Sequence, residues 1–419
     1  MPERVREAPA PRPSVSAAIA GRLDERSAFH STTRPPDRQS IASAADLAAR
    51  IGSGRFDAVR AIYDIRRVPA SRLCMNAAGW TTTSQIMGVP RDAVENQILC
   101  FIRDRYTGQE AIVNSLRALR TNRAEQNRTQ VASEARRAAC RWCAEWDVQE
   151  SGMWSDEWDQ ARSDDGRIGT RPNWARQSPI SGLAFGDHRM HDLDGLTESE
   201  FVGLFTTGER YLATARRLRG RARFCAIFIN GGPRSGSSVE HAHAQIVARD
   251  DRHFAYPEMV ATRCPPDYWQ RTRLAHDQAG LTILQGDSEG WVSLAPVKER
   301  DITALSPDVA EGARVMYRIW RGLVARGTRN FSLTAILSPG YFSATDCPER
   351  FLRWPRVVWR FVDRGDPDVK HADIGSMELF GSSVVASDPY ATARLLRDER
   401  RSFGSAERSV SANPGRRRA

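Results

Sequence analysis

The sequence predicts an α+β protein built from two comparable halves. Two stretches with the same order of elements, and a composition able to bury a core, carry that prediction. In the first stretch, Thr197 followed by Glu200 forms a capping box that opens a helix, with Phe201, Leu204, Phe205, Leu212 and Leu218 on its apolar face. The apolar run from Phe224 to Asn230 then reads as a buried strand, and a loop rich in Gly and Ser leads to a second strand from His241 to Ala248. In the second stretch, Ser306 and Pro307 start a helix with Val309, Ala313, Met316, Ile319 or Trp320, and Leu323 inward, ending near Gly327. Phe331, Leu333, Ala335 and Leu337 alternate as a strand before Pro339, and Ser387, Asp388 and Pro389 open a last helix that runs to about Arg397. A chain of 419 residues with 41% hydrophobic side chains can bury a sizeable core around such elements.

Charge and composition exclude several classes of function. The formal net charge of +10 resides in residues 1–50, 116–141 and 405–419, and the remainder is neutral. Lys298 and Lys370 are the two lysines, so nearly every cation is Arg, which reads as coding bias; nucleic-acid binding is not expected. The longest apolar run, Phe224 to Ile229, falls far short of the ~20 residues a membrane helix needs. The N-terminus interleaves charges and prolines where a signal peptide would carry an apolar stretch, so a cytoplasmic location is expected. Of seven cysteines, Cys140 and Cys143 stand close together, a metal or redox pair rather than part of a disulfide framework. Cys225 lies inside an apolar strand and reads as core.

The chemistry concentrates in FINGGPRSGSSVEHAHAQIVA, residues 228–248. Alternate side chains of a strand share a face, so His241, His243, Gln245 and Val247 point one way, and Ala242, Ala244, Ile246 and Ala248 point towards a core. Gly231, Gly232 and Gly236 permit a close backbone approach, and Ser237 and Ser238 add hydroxyls and amide donors for an anion. Together they suit a nucleophilic imidazole beside a phosphate cradle. A half-exposed strand with chance histidines is the alternative, as two buried thiols are for Cys140 and Cys143.

Asn230, Gly232, Gly236, Ser237 and Ser238, followed by His241-Ala-His243-Ala-Gln245, resemble the active-site segment of the galactose-1-phosphate uridylyltransferase family, the transferase branch of the histidine-triad superfamily. DRYTGQEAIVNSLRALRTNR (104–123), CRWC (140–143) and GDHRMHDLDGLT (186–197) are similar to the family's early strand, zinc cysteines and zinc-histidine segment. Residues 291–307 and 377–398 look like the opening and closing of its second half. The resemblance implies two histidine-triad-like halves, each an antiparallel sheet packed with helices, the second degenerate. The expected organisation is a disordered leader over 1–45 and an extension over 46–104, with short helices at Ala44 to Ile51 and Arg91 to Phe101. A catalytic half over 105–255, a second half over 256–404 and a basic tail over 405–419 follow.

The resemblance assigns His243 as the nucleophile that takes a nucleotidyl group from a nucleotide-sugar, with Gln245 donating its amide to a phosphate oxygen. Glutamine at that position, where histidine-triad hydrolases carry a third histidine, favours transfer to a phosphate acceptor over attack by water. Cys140, Cys143, His188 and His241 are the implied ligands of a closed structural zinc site. The family spacing fits His188 with one inserted residue and His191 only with a two-residue deletion. The implied partners are a nucleotide-sugar and a sugar phosphate, with no membrane, and the family's frequent dimerisation is compatible with a homodimer. Two other readings stay open: a phosphorylase acting on NDP-sugars or dinucleoside polyphosphates through the same intermediate, and a relative that binds nucleotide without turnover. Departures from the family are Ala242 between the histidines, Glu240 before them, and VVWRFVDR (357–364) where a second His-x-His would stand. Arg234 in the loop is a candidate for an anionic ligand. Arg360 reads as either a phosphate contact or a surface arginine.

Overall fold

The computed structural model describes residues 41–398 apart from 71, 73, 75, 78–79, 82–87, 115, 117–137, 139, 141, 144–165, 174–175, 221, 233–234, 236–240 and 366–375. The expected leader up to residue 40, the basic tail, and Arg234, Gly236, Ser237, Ser238 and Glu240 lie outside the described residues. Among the described residues, no helix is long and apolar enough to cross a membrane.

The architecture is α+β. Residues of the N-terminal extension form helices α1 (Ala44–Arg50) and α2 (Asp57–Ile62), strand β1 (Tyr63–Pro69), helix α3 (Arg91–Glu95) and strand β2 (Ile98–Asp104). The helix expected over Arg91 to Phe101 thus stops at Glu95. Cys100 and Ile102 alternate inward from the strand that replaces it, a period of two that a helical reading cannot satisfy. Strand β3 (Glu110–Val113) completes an antiparallel set with β1 and β2, and β13 (Ser382–Val385) joins it in parallel. The extension and the end of the chain therefore share one sheet. Asp388 reinforces that closure: its carboxylate accepts from the Ala44 amide at 3.0 Å and from Tyr390, in the last helix over 389–398, at 2.9 Å.

Among the described residues, the main sheet has nine strands. One side comprises β4 (Ile168–Pro172), β5 (Ile180–Gly186), β6 (Phe224–Gly231) and β7 (His243–Arg249). The other side comprises β8 (Thr282–Leu284), β9 (Glu289–Val292), β10 (Glu299–Ser306), β11 (Asn330–Leu337) and β12 (Val357–Gly365). The order β4-β5-β7-β6-β11-β12-β10-β9-β8 joins the two antiparallel sets through β6 and β11. Helices α4 (Glu198–Arg219) and α7 (Val309–Val324) cover one face, while α5 (Ala255–Arg263) and α6 (Tyr268–Ala279) connect the halves.

The capping box of α4 is present, with Thr197 accepting from Glu200 and the Glu200 carboxylate accepting from Thr197. Phe201, Leu204, Phe205 and Leu212 are buried as expected, but Leu218, in the last turn of α4, is 46% exposed. Phe201 stacks on Trp320 of α7 at 5.2 Å, and Phe205 meets the edge of Trp359 of β12 at 5.0 Å. Gly312 lets α7 approach: a Cβ there would run into the Trp359 indole, whose Nε1–H donates to Ser306 Oγ at 2.9 Å. The helix starts at Val309 behind an Asp308 cap rather than at Ser306.

The opposite face carries the chemistry. Register places Arg171, Leu183, Gln245, Phe228, Thr334, Arg360, Thr303 and Trp291 in one transverse row across eight strands. Laterally paired residues share a face, so this row crosses from β4 through β7 to β9.

A buried histidine away from that strand makes acid stability testable. His276 is fully buried, its Nδ1–H donates to Thr272 O at 2.7 Å, and its Nε2 accepts from the Leu294 amide at 3.1 Å. Burial pushes this imidazole down to about 4, and protonation would leave the Leu294 amide facing a second donor. A folded-state value below the unfolded one means stability is complete above about pH 6.5 and is lost as pH falls towards 4. His276→Phe should be less stable than wild type at pH 8, and denaturant unfolding should show the gap narrowing by about 3 kcal/mol between pH 6.5 and 4.

Candidate active site and metal centre

Four donor side chains converge at the end of β5. The ligand atoms of Cys140, Cys143, His191 and His241 all lie within 4.8 Å of one another. Cys143 Sγ is 3.4 Å and Cys140 Sγ 3.7 Å from His241 Nδ1. A tetrahedral zinc ion with ordinary bond lengths separates sulfur and nitrogen ligands by about 3.6 Å, so the spacing fits. The hydrogen bonding fits as well. His241 Nε2 lies 2.9 Å from Gly186 O, which places the proton on Nε2 and leaves the Nδ1 lone pair facing the thiols. Burial pushes the His241 imidazole down to about 4, keeping it neutral as a ligand must be.

His191, not His188, is the histidine in this cluster. Asp187 caps a short 3-10 turn, His188–Met190, accepting from the Arg189 amide at 2.9 Å. The turn carries Met190 into the core and leaves His188 exposed. His191 follows it, 2% exposed, and its carbonyl accepts from the Ala242 amide at 2.8 Å, which draws the two histidine segments together. The linear spacing that favours His188 does not register this turn.

His241 precedes β7 rather than lying within it, and β7 opens at His243. His243 Nδ1 is 2.7 Å from the His241 carbonyl. A carbonyl only accepts, so Nδ1 carries the proton and Nε2 keeps the lone pair. Burial holds this imidazole below the ordinary histidine value; the carbonyl bond works against that shift and the nearby Arg171 adds to it. Gln245, two residues on, accepts on its side-chain oxygen from Gln177 Nε2 at 2.9 Å, which leaves its amide nitrogen as the donor end. On the neighbouring strand, Asn230 Oδ1 accepts from Ser332 Oγ at 2.9 Å. Gly232 has φ +93°, and a Cβ there would meet the Arg329 carbonyl, so the turn after β6 requires glycine. The core reading of Cys225, at 1% exposure, is met.

Two residues escaped the sequence analysis. Trp142, between the two cysteines, meets His243 edge-on at 4.8 Å and Phe185 at 5.3 Å. Arg171, 5% exposed on β4, holds its guanidinium 4.3 Å over Trp142 and 5.0 Å over Phe185. An aromatic inside Cys-x-x-Cys is the signal that could have marked Trp142, whereas Ile-Gly-Thr-Arg-Pro around Arg171 carries none. Arg360 is the opposite case. It is no surface arginine: it forms a bidentate pair with the fully buried Asp301 at 3.0 and 2.6 Å.

Metal content separates the two histidines. His191→Ala and Cys143→Ser should lose most bound zinc by plasma mass spectrometry, while His188→Ala should keep it; retention in His191→Ala would reject the four-residue site.

No protein-family model and no curated protein matches the sequence. Among solved structures, the chain is similar to an ADP-glucose phosphorylase from Arabidopsis thaliana with bound ADP-glucose (12% identity, 71% of this chain and 97% of that one, TM-score 0.49). It is similar to a galt-like protein from the same plant (11% identity, 57% and 88%, TM-score 0.41) and to yeast Ap4A phosphorylase Apa2 in complex with AMP (15% identity, 71% and 86%, TM-score 0.31).

Proposed function

We propose that this protein is a nucleotidyltransferase that moves an NMP group from an NDP-sugar to a sugar 1-phosphate or similar phosphate acceptor through a nucleotidyl-histidine at His243. The observation that carries this reading is the His243 ring itself. Its Nδ1–H is committed to the His241 carbonyl at 2.7 Å, so a neutral Nε2 lone pair is available on the sheet face.

In the proposed first step, Nε2 attacks the α-phosphorus, an N–P bond forms, and the bond from that phosphorus to the bridging oxygen breaks, releasing a sugar phosphate. In the second, an oxygen of the acceptor phosphate attacks the same phosphorus, the N–P bond breaks, and neutral His243 is restored. The Gln245 amide donates to a non-bridging phosphate oxygen, and Arg171 supplies positive charge on the same row of the sheet. Asn230 and Gly232 border the phosphate, as Arg234, Gly236, Ser237 and Ser238 do by resemblance. Cys140, Cys143, His191 and His241 would hold a zinc ion whose contribution is to fix the His241 backbone, and through it the His243 tautomer. The ADP-glucose phosphorylase and Ap4A phosphorylase among the structural neighbours support a nucleotide donor, and orthophosphate as acceptor is the second reading they favour.

Incubation with radiolabelled UDP-glucose or ADP-glucose, then an alkaline quench, should leave a base-stable, acid-labile label on the protein. His243→Ala should abolish the label with zinc content unchanged. No label from any NDP-sugar on zinc-loaded wild type rejects the reading, and release of label by orthophosphate alone identifies a phosphorylase. Arg171→Gln should keep zinc and lower donor kcat/KM at least tenfold, a ratio read directly in steady-state assays.

A further inference from the structure

The row of residues on the open sheet face ends in a second cavity. It has a volume of about 300 Å³ and lies over the second half, with Thr303, Thr334 and Arg360 on its floor. That is at the lower end of the range for small-molecule sites, roughly 300–1,000 Å³. Arg360 is three strands from Gln245, about 14 Å at ordinary strand spacing, so the cavity is separate from the imidazole of His243 and faces the same side.

Its chemistry is specific. Trp269, Trp291, Trp354, Tyr63, Tyr256 and Tyr268 supply the walls. Trp269 and Trp354 meet edge-to-face at 5.2 Å, and Tyr256 lies under the Arg360 guanidinium at 5.5 Å. Ser293, Thr303 and Thr334 also line the cavity and bring hydroxyl groups to it. A hydroxyl can donate, so these side chains suit a guest that brings acceptor atoms.

Asp104 and Arg360 are the charged lining residues among those described. Both are engaged. Arg360 is paired with Asp301 and donates to Gln109 at 3.3 Å, and Asp104 accepts from the Tyr268 hydroxyl at 2.7 Å and from the Tyr106 and Thr107 amides. With two carboxylates against one guanidinium, a phosphate inside would be disfavoured. A hexose would bring several hydroxyl donors to carboxylates already occupied. A flat, neutral heteroaromatic ring with nitrogen and carbonyl acceptors suits aromatic walls and hydroxyl donors alike.

We infer that this cavity is a nucleobase-binding site, distinct from the His243 site, that takes the base of a nucleoside or nucleotide and leaves any phosphate outside. The inference does not rest on the chemistry proposed for His243, because His243→Ala removes that chemistry and leaves this cavity intact.

The test uses the full-length zinc-loaded protein. Adenosine and uridine, which carry no phosphate, are titrated by calorimetry into wild type, His243→Ala and Thr334→Phe, the last of which fills the cavity floor. At least one nucleoside should bind wild type and His243→Ala equally and bind Thr334→Phe at least tenfold more weakly. Trp354→Leu provides the same comparison should Thr334→Phe not fold. Irradiation of wild type with 8-azidoadenosine should then label peptides containing Tyr256 to Trp269 or Trp354. Absence of nucleoside binding at millimolar concentration overturns the inference. So does binding of glucose in place of nucleosides, or photolabel confined to peptides around His243.

Discussion

The site depends on what His241 does with three of its atoms. Its Nε2–H is given to the Gly186 carbonyl, its Nδ1 faces Cys140 and Cys143, and its own carbonyl takes the Nδ1–H of His243. A neutral imidazole has one donor and one acceptor, so each commitment decides the next. With the proton on Nε2, the ring can only offer Nδ1 to the thiols. With its carbonyl on His243 Nδ1, the second ring can only expose Nε2. The exposed lone pair of His243 is thus selected by a backbone atom of His241, which also faces the two thiols, so the cluster is coupled to that face of the sheet.

The two halves of the sheet spend the same surface differently. On the side formed by β4 to β7, the face opposite α4 and α7 carries imidazoles, an amide and one arginine packed on Trp142 and Phe185. On the other side the same row carries Arg360 locked to Asp301. Burying such a pair brings little net stability, yet removing one partner strands a charge and costs roughly 3–5 kcal/mol. The pair instead gives the second half a rigid, nearly neutral floor beneath aromatic walls. Because β6 and β11 join the two sides with continuous register, both floors face the same solvent.

Much of this was legible from residue patterns. Alternation in Phe331 to Leu337, the capping box at Thr197 and Glu200, and the apolar run before Asn230 each report a local geometry, and each element formed where expected. The face shared by His243 and Gln245 follows from strand periodicity alone. Leu218 and the stretch from Arg91 to Phe101 read less well. Leu218 stays 46% exposed at the end of α4, and Ile98 to Asp104 pairs as a strand with β1, a partner distant in sequence.

The sequence by itself determined the donor types, the α+β order of elements and the alternation that presents one imidazole beside an amide, because these depend on contacts within a few residues. The tertiary structure alone decided that His191 rather than His188 joins the cysteines, since a capped 3-10 turn rotates the chain between them. It alone brought Arg171 and Trp142 against His243, and paired Arg360 with Asp301, from positions dozens of residues apart. Those meetings are set by strand order and register, which depend on how the whole sheet closes rather than on any local pattern.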